Sequence, residues 1–417
     1  MNESYIFTHL TVVLVIAAIS GILLNRARQP VLIGYIMAGV LVGPNVLRFI
    51  TSEDQVAFYS ELGILLLMFV IGLDLNVKSF MAMWKIPTAF TVLQVTLNSC
   101  LAILFTKISG VNTGVSLLYA FIASLSSTAA IVKILDSMNE SKTDIGHITM
   151  GILISQDIAV VPMMLIMDSF KNGTPQFNWK MVTVVSSAII IIAAIMKYLS
   201  SNKKITFSGA YFSSNQELTP VIALSLCFIS AFLVTKIGLS EAYGAFLVGL
   251  LIGNIIKDRH AIIETIVPIQ SILLMVFFIS VGMMFDLKYL YKHFFLVIST
   301  LILLTSCKII INTLLFMMFR IKLAKSVGLG IILAQLGEFS FILSEKAISV
   351  QIINHDSRKL IICVTAISLA LSPLFLIIAR RMFWLSIMGK NSISDILRII
   401  YSREYIKNVK EKIGGFI

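Results

Sequence analysis

Apolar residues fill this chain in blocks of about twenty, separated by short polar stretches. A block of that length matches the roughly 30 Å hydrocarbon core of a bilayer at about 1.5 Å of helix rise per residue. The pattern predicts thirteen helical spans, at about 6–24, 31–47, 59–74, 87–106, 114–135, 147–168, 181–199, 219–236, 241–256, 266–284, 294–319, 326–345 and 359–379. The second and ninth are short and interrupted by glycine. The polar, Ser-rich segment at about 200–218 reads as a linker between two halves.

Composition strengthens this picture. The 417 residues are 58% hydrophobic and 13% charged, with mean hydropathy +0.95; a soluble domain carries about 25% charged residues. The fold class is therefore an all-α integral membrane protein whose main partner is the lipid bilayer. Residues 1–384 form the membrane domain, and 385–417 a short basic tail that reads as an amphipathic surface helix or a frayed end. The net charge of +12 lies in short loops and the tail, which topology explains better than a nucleic-acid partner does. With the N-terminus outside, inner loops and tail carry 21 Lys/Arg and outer loops 10, so the positive-inside rule places the C-terminus in the cytoplasm. The start has neither a basic n-region nor a small-residue cleavage site, so it reads as an uncleaved first helix. Cys100, Cys227, Cys307 and Cys363 show no paired spacing and read as reduced packing residues.

A repeat organises the spans. Gly39 and Gly43 in span two recur as Gly249 and Gly253 in span nine, and Gly72 in span three as Gly282 in span ten, each 210 residues on. Repeat one covers about 31–168 and repeat two about 241–380. The shift is seven helices, an odd number, so the second copy is inverted across the membrane. Inverted repeats are built around a site near the midplane, frequently formed by discontinuous helices. Span five (IASLSSTAAIVKIL) and its counterpart span twelve (IILAQLGEFSFIL) both carry polar residues at mid-depth. Ser126, Ser127 and Thr128 break one run; Gln335, Gly337, Glu338 and Ser340 break the other.

The strongest chemical signal is Gln156-Asp157, inside the apolar run Ile148–Met167. A carboxylate at that depth costs about 2.5–3.5 kcal/mol on insertion scales, so a chain that keeps one uses it to hold a cation or a proton. Asp157 can exchange a proton for a hard monovalent cation, because both bind the same oxygens. Gln156 adds a neutral oxygen that either ligates the cation or positions Asp157. Ser155, Ser127 and Thr128 complete the candidate ion and proton site. One titrating carboxylate implies one proton for one monovalent cation, hence electroneutral exchange.

Lys308 lies too deep in span eleven to snorkel. It either pairs with Asp157 in the empty site or neutralises the dipole ends of the crossed helices. Glu338 is either a second carboxylate in the pathway or a dipole partner at the break, and Gln335 lies at the same break. Lys133 reads as a charge near the inner end of span five. Asp74 and Asp286 end spans three and ten and read as interfacial, at matching repeat positions. His9, His147, His260, His293 and His355 fall at span ends or in loops.

Seven segments in order, GYIMAGVLVGPN, ELGILLLMFVIGLDL, SLSSTAAIVKIL, ISQDIAVVP, GLSEAYGAFLVGLLIGN, FFISVGMMFDL and LAQLGEFSFIL, together resemble the monovalent cation:proton antiporter-2 family, and within it the Kef-type potassium/proton antiporters. The resemblance covers the membrane domain. It implies an inverted-repeat antiporter fold with a dimerisation domain, a mobile core domain, and crossed broken helices at spans five and twelve. It also implies that Lys308 faces the carboxylate helix and that the protein is a homodimer in a bacterial inner membrane. The Gln156-Asp157 pair is similar to the potassium-associated variant. Kef-type members add a cytosolic nucleotide-binding domain regulated by glutathione adducts. Residues 385–417 contain no GxGxxG, so such gating is expected only from a separate cytosolic regulatory subunit or from a longer chain of which this is a part.

The sequence thus predicts a secondary transporter that exchanges K⁺ or Na⁺ for H⁺ by alternating access, with no other cofactor. Two alternatives keep the fold: a gated potassium efflux pathway, and a transport-inactive ion or pH sensor. No TVGYG-type filter supports the first. An enzyme is not expected, since no HExxH or nucleophile motif is present.

Overall fold

A computed structural model describes residues 3–26, 31–44, 46–49, 53–138, 140–171, 174–175, 179–200, 218–236, 241–255 and 259–387. The linker residues 201–217 and tail residues 388–417 lie outside the described residues. The first half contains α1 (Glu3–Arg26), α2 (Val31–Val42), α3 (Glu53–Asp74), α4 (Val77–Met83), α5 (Lys85–Ser109), α6 (Thr113–Ser124), α7 (Thr128–Ser137), α8 (Asp144–Asp168) and α9 (Trp179–Ser200). A two-residue antiparallel pairing, β1 (Phe170–Lys171) with β2 (Thr174–Pro175), links α8 to α9. The second half contains α10 (Leu218–Lys236), α11 (Glu241–Ile255), α12 (Arg259–Met283), α13 (Leu287–Lys292), α14 (Phe294–Met318), α15 (Leu323–Ile332), α16 (Phe339–Ser349), α17 (His355–Ala370) and α18 (Ser372–Ile387).

Helices fall on all thirteen expected stretches, although not as thirteen continuous spans. Among the described residues α5, α8, α10 and α14 are long and apolar enough to cross a membrane alone, and two bent pairs raise that number to six. Spans five and twelve are each two short helices, α6 with α7 and α15 with α16, as their polar interruptions imply. The expected continuous span at 359–379 is corrected to α17 and α18, bent by 52° at Leu371. Pro373, in the first turn of α18, cannot donate a backbone hydrogen bond and disfavours a helical residue before it.

The inverted repeat is built into the packing. Gly39 on α2 meets Gly282 on α12, and a Cβ on either would lie 2.1 Å from a carbonyl oxygen, of Ile279 or of Ile36 respectively. Moving 210 residues along converts this pair into Gly249 on α11 against Gly72 on α3, where a Cβ would lie 2.0 Å from the Phe69 oxygen or 2.3 Å from that of Phe246. The same shift turns the contact of Gly34 with Ser20 into that of Gly244 with Ser230, so it includes α1 and α10. These are backbone-to-backbone contacts, in which small residues let helices approach without a side chain between them.

Each half also bends before its core helices. Between α3 and α4 the axis turns by 67°. Asn254 on α11 fixes that bend, accepting from the Val77 N–H at 3.0 Å and donating to the Leu75 oxygen at 2.9 Å. At the equivalent bend before α13, Asp286 accepts from the N–H groups of Lys288 and Tyr289 at 2.9 and 3.0 Å, and from Lys359 at 2.9 Å. Asn76 caps α4 as Asp286 caps α13, so the counterpart of Asp286 is Asn76; Asp74 is the last residue of α3 and exposed. Burial pushes the Asp286 carboxyl up, and the bonds from Lys359, Tyr289 and Lys288 outweigh it and hold the group below its ordinary value.

Three outcomes follow for purified protein in detergent. Gly249→Ala should cost about 3 kcal/mol or more by overpacking, seen as loss of the monodisperse peak and a lower Tm. Gly110→Ala, with open space around it but φ +69°, should cost only about 1 kcal/mol. The depressed Asp286 carboxyl contributes stability above its unfolded-state value near 4, and that contribution is lost as pH falls through the folded-state value. Asp286→Asn should therefore lower Tm at pH 7, and its difference from wild type should vanish under acid.

Candidate functional site

Two extended segments cross where the broken helices meet. Ser126 and Leu336, 210 residues apart, form an isolated antiparallel bridge. Each is the other's repeat image, so the crossing lies on the internal two-fold axis. Gly337 permits the approach: a Cβ there would lie 2.9 Å from both the carbonyl carbon and oxygen of Ser126.

Four helix ends therefore converge. The C-terminal ends of α6 and α15 present unpaired carbonyls and negative partial charge; the N-terminal ends of α7 and α16 present N–H groups and positive partial charge. The charged side chains follow this division. Lys308, 0% exposed, donates to the Leu125 oxygen at the end of α6, to Ser126 Oγ at 3.2 Å, and to the Gln335 oxygen beyond α15 at 3.1 Å. Of the two roles open to Lys308 from sequence, this geometry matches the dipole-neutralising one; none of its hydrogen bonds goes to Asp157. Two further backbone groups at the crossing are matched: Ser126 Oγ donates to the Leu333 oxygen at 2.7 Å, and the Leu336 N–H donates to Ser368 Oγ at 3.0 Å.

Asp157 sits on the opposite, N-terminal side. It is 8% exposed, and the Thr128 hydroxyl at the start of α7 reaches both its oxygens, at 3.2 and 3.3 Å. Among the side chains the structure describes, which do not include that of Lys133, no Lys, Arg or His forms an ion pair with it. The fold thus brings Asp157 and Thr128 together. Ser127 is the N-cap of α7, accepting from the Ala130 N–H at 3.5 Å. Ser155 is not brought into this hydrogen-bonded group, since its hydroxyl bonds back to the Gly151 oxygen at 2.9 Å. Glu338 and Gln335 flank the break before α16.

Gln156 proves to be tied into a network. Its Oε1 accepts from the Ser126 N–H at 3.1 Å, and its Nε2 donates to Gln94 Oε1 at 2.8 Å. Gln94 Nε2 in turn donates to Asn312 Oδ1 at 2.7 Å. This chain joins α8, α5 and α14 to the break itself. One turn further along α5, Asn98 donates to Ser124 Oγ at 2.9 Å. The sequence reading missed Gln94, Asn98 and Asn312. Their signal was present: Gln94 and Asn98 are four apart in an apolar span, and Asn312 is four after Lys308, so each pair shares a helix face, and polar residues in such spans face the bundle interior.

Crossed broken helices on an inverted repeat, with a buried carboxylate at the amide ends and a buried amine at the carbonyl ends, define a secondary cation/proton exchanger of the membrane. The family model described as "Sodium/hydrogen exchanger, transmembrane" matches residues 13–378, and the chain belongs to that family. It is 35% identical over 397 residues to the iron transporter MagA of Paramagnetospirillum magneticum, covering 95% of this chain and 91% of that protein. It is 28% identical over 373 residues to K(+) efflux antiporter 5 of Arabidopsis thaliana, covering 88% of this chain and 66% of that one. That relationship agrees with the resemblance read from the seven motifs. The sodium proton antiporter MjNhaP1 of Methanocaldococcus jannaschii has the same fold, with TM-score 0.60 and 14% identity over 90% of this chain and 95% of that chain. The protein is thus a multi-pass membrane protein of the monovalent cation/proton exchanger class.

Two variants test the site's framework by thermal unfolding in detergent. Lys308→Met should destabilise by about 3 kcal/mol or more, since hydrogen bonds to a charged group are each worth about 1.5–3 kcal/mol and the carbonyls stay buried. Gln94→Ala should cost about 2 kcal/mol by stranding Gln156 and Asn312. A double-mutant cycle of Gln94 with Asn312 should give a coupling of about 0.5–3 kcal/mol.

Proposed function

We propose that this protein exchanges K⁺ for H⁺ one for one across a bacterial inner membrane, as a homodimer working by alternating access, with its N-terminus outside. The observation that carries the reading is Asp157 itself: a buried carboxylate, beside the positive end of α7, with a hydroxyl as its hydrogen-bond partner. A proton or a bare monovalent cation completes such a group equally well, and the two compete for the same oxygens. Lys308 is committed to the helix ends, so it carries no second proton, and the cycle moves no net charge. The motif Gln156-Asp157 and the relatives named as K(+) efflux antiporters favour K⁺ over Na⁺. Gln156 contributes by fixing the break through Ser126, with its oxygen turned to that N–H. The similarity to a protein named as an iron transporter makes Fe²⁺ a cation to run beside the others.

The test is cation-driven proton movement in proteoliposomes carrying an internal pH dye, with pulses of K⁺, Na⁺, Li⁺ and Fe²⁺. K⁺ should give the largest signal, unchanged when a membrane potential is imposed, and Asp157→Asn should lower it at least a hundredfold. A signal that scales with imposed potential would overturn the one-for-one cycle. A Na⁺ or Fe²⁺ preference would overturn the assigned cargo. Potassium flux without proton movement would favour a channel, and no flux from folded dimers a sensor.

A further inference from the structure

The break between α15 and α16 holds buried polar atoms that exchange at Asp157 alone leaves unused. Glu338 occupies the N-cap position of α16, is 9% exposed, and its Oε2 has no hydrogen-bond partner. A carboxylate present only to cap the helix would accept from the first free N–H groups; Glu338 makes no such bond. Instead it is left at the crossing with that oxygen unpartnered. Gly337, the residue before Glu338, packs on Ser126 and Ser127, a Cβ there lying 3.3 Å from the Ser127 nitrogen, and the next residue, Thr128, holds Asp157. Consecutive Cα atoms are about 3.8 Å apart, so Glu338 at the start of α16 and Asp157 beside the start of α7 belong to the same crossing. Two buried carboxyls do not share a low-dielectric site unless something positive joins them. Lys308 is turned to the carbonyl ends, and among the described residues no other cation pairs with either carboxyl. The Ser340 hydroxyl and the side-chain amide of Gln335, both 0% exposed, also lack partners at this break.

We propose that Glu338 is a second ligand to the transported cation, forming with Asp157 a two-carboxyl site that carries either one monovalent cation or one proton. This deepens the exchange reading and rests on it. Two carboxyls with one proton bear a single negative charge, and so do two carboxylates with one K⁺; the positive ends of α7 and α16 face that charge in both states. When the cation enters, the shared proton leaves to water on the side to which the site is open. The ligand set also becomes symmetric, with Asp157 reached by Thr128 at the break of the first repeat and Glu338 supplied by the break of the second.

Binding is read without transport, as the rise in Tm of detergent-purified protein titrated with KCl against choline chloride at constant ionic strength. Glu338→Gln should weaken K⁺ affinity at least tenfold while its Tm in choline stays within a few degrees of wild type; Glu338→Asp should fall between. The KM for K⁺ in proteoliposomes should rise in parallel. Glu338→Gln that binds K⁺ within twofold of wild type would overturn the proposal. If Glu338→Gln does not fold, Glu338→Asp decides: affinity within twofold of wild type overturns, and a threefold loss or more supports. Glu338-dependent K⁺ binding by a wild type that moves no protons would sink the exchange reading and leave the ligand assignment standing.

Discussion

Two helix C-termini pointing at each other in a low-dielectric interior repel, each carrying about half a negative charge. The amino group of Lys308 resolves this by bonding to the carbonyl ends of both broken helices at once. With one positive charge against roughly one negative charge, the crossing becomes locally neutral. The hydroxyl of Ser126 and the hydroxyl of Ser368 satisfy two further backbone groups, the Leu333 oxygen and the Leu336 N–H. Only because the carbonyl side is neutralised in this way can the amide side, at the starts of α7 and α16, be given over to the carboxyls.

Around this crossing the chain uses two kinds of rigidity. In α2, α3, α11 and α12 it comes from backbone contacts that leave no room for side chains, in pairs related by the 210-residue shift. In the core helices α5, α8 and α14 it comes from hydrogen bonds between buried amides, Gln156 to Gln94 to Asn312. The first kind is insensitive to charge, and the second is polar and responsive. An exchanger needs both: a frame that does not yield, and a site whose members are held in register while an ion replaces a proton.

Much of this was legible in the sequence because a membrane makes polar residues conspicuous. Asp157 stood out in an apolar run, SSTA and QLGE marked the breaks, and glycines at a constant offset gave the repeat. What was not legible depended on partners far away in the chain. Gln156 read as a potential ligand because nothing in ISQDIAVVP says that Gln94, 62 residues earlier, takes its amide. Asn312 is 218 residues from Gln94 and drew no notice beside Lys308. The choice between Asp157 and the helix ends as the partner of Lys308 required knowing how α14 is rotated, and a hydrophobic block fixes length without fixing rotation. The bend at Leu371 was missed because the apolar run continues through it, although Pro373 marked the position. Asp74 was matched to Asp286 on residue type, whereas the capping geometry selects Asn76.

The glycine pairs have a consequence for how the protein is made. Gly39 packs on Gly282, and Gly72 on Gly249, so these two glycine contacts close only between the halves. During synthesis α2 and α3 enter the bilayer long before their partners α11 and α12 exist, and the chain joining them must be closed into a very large loop. Loop closure grows only slowly more costly with length, but contacts this distant in sequence form late. The first half must therefore wait in the lipid as inserted helices with unmatched glycine grooves, and assembly is completed by the second half closing onto the first.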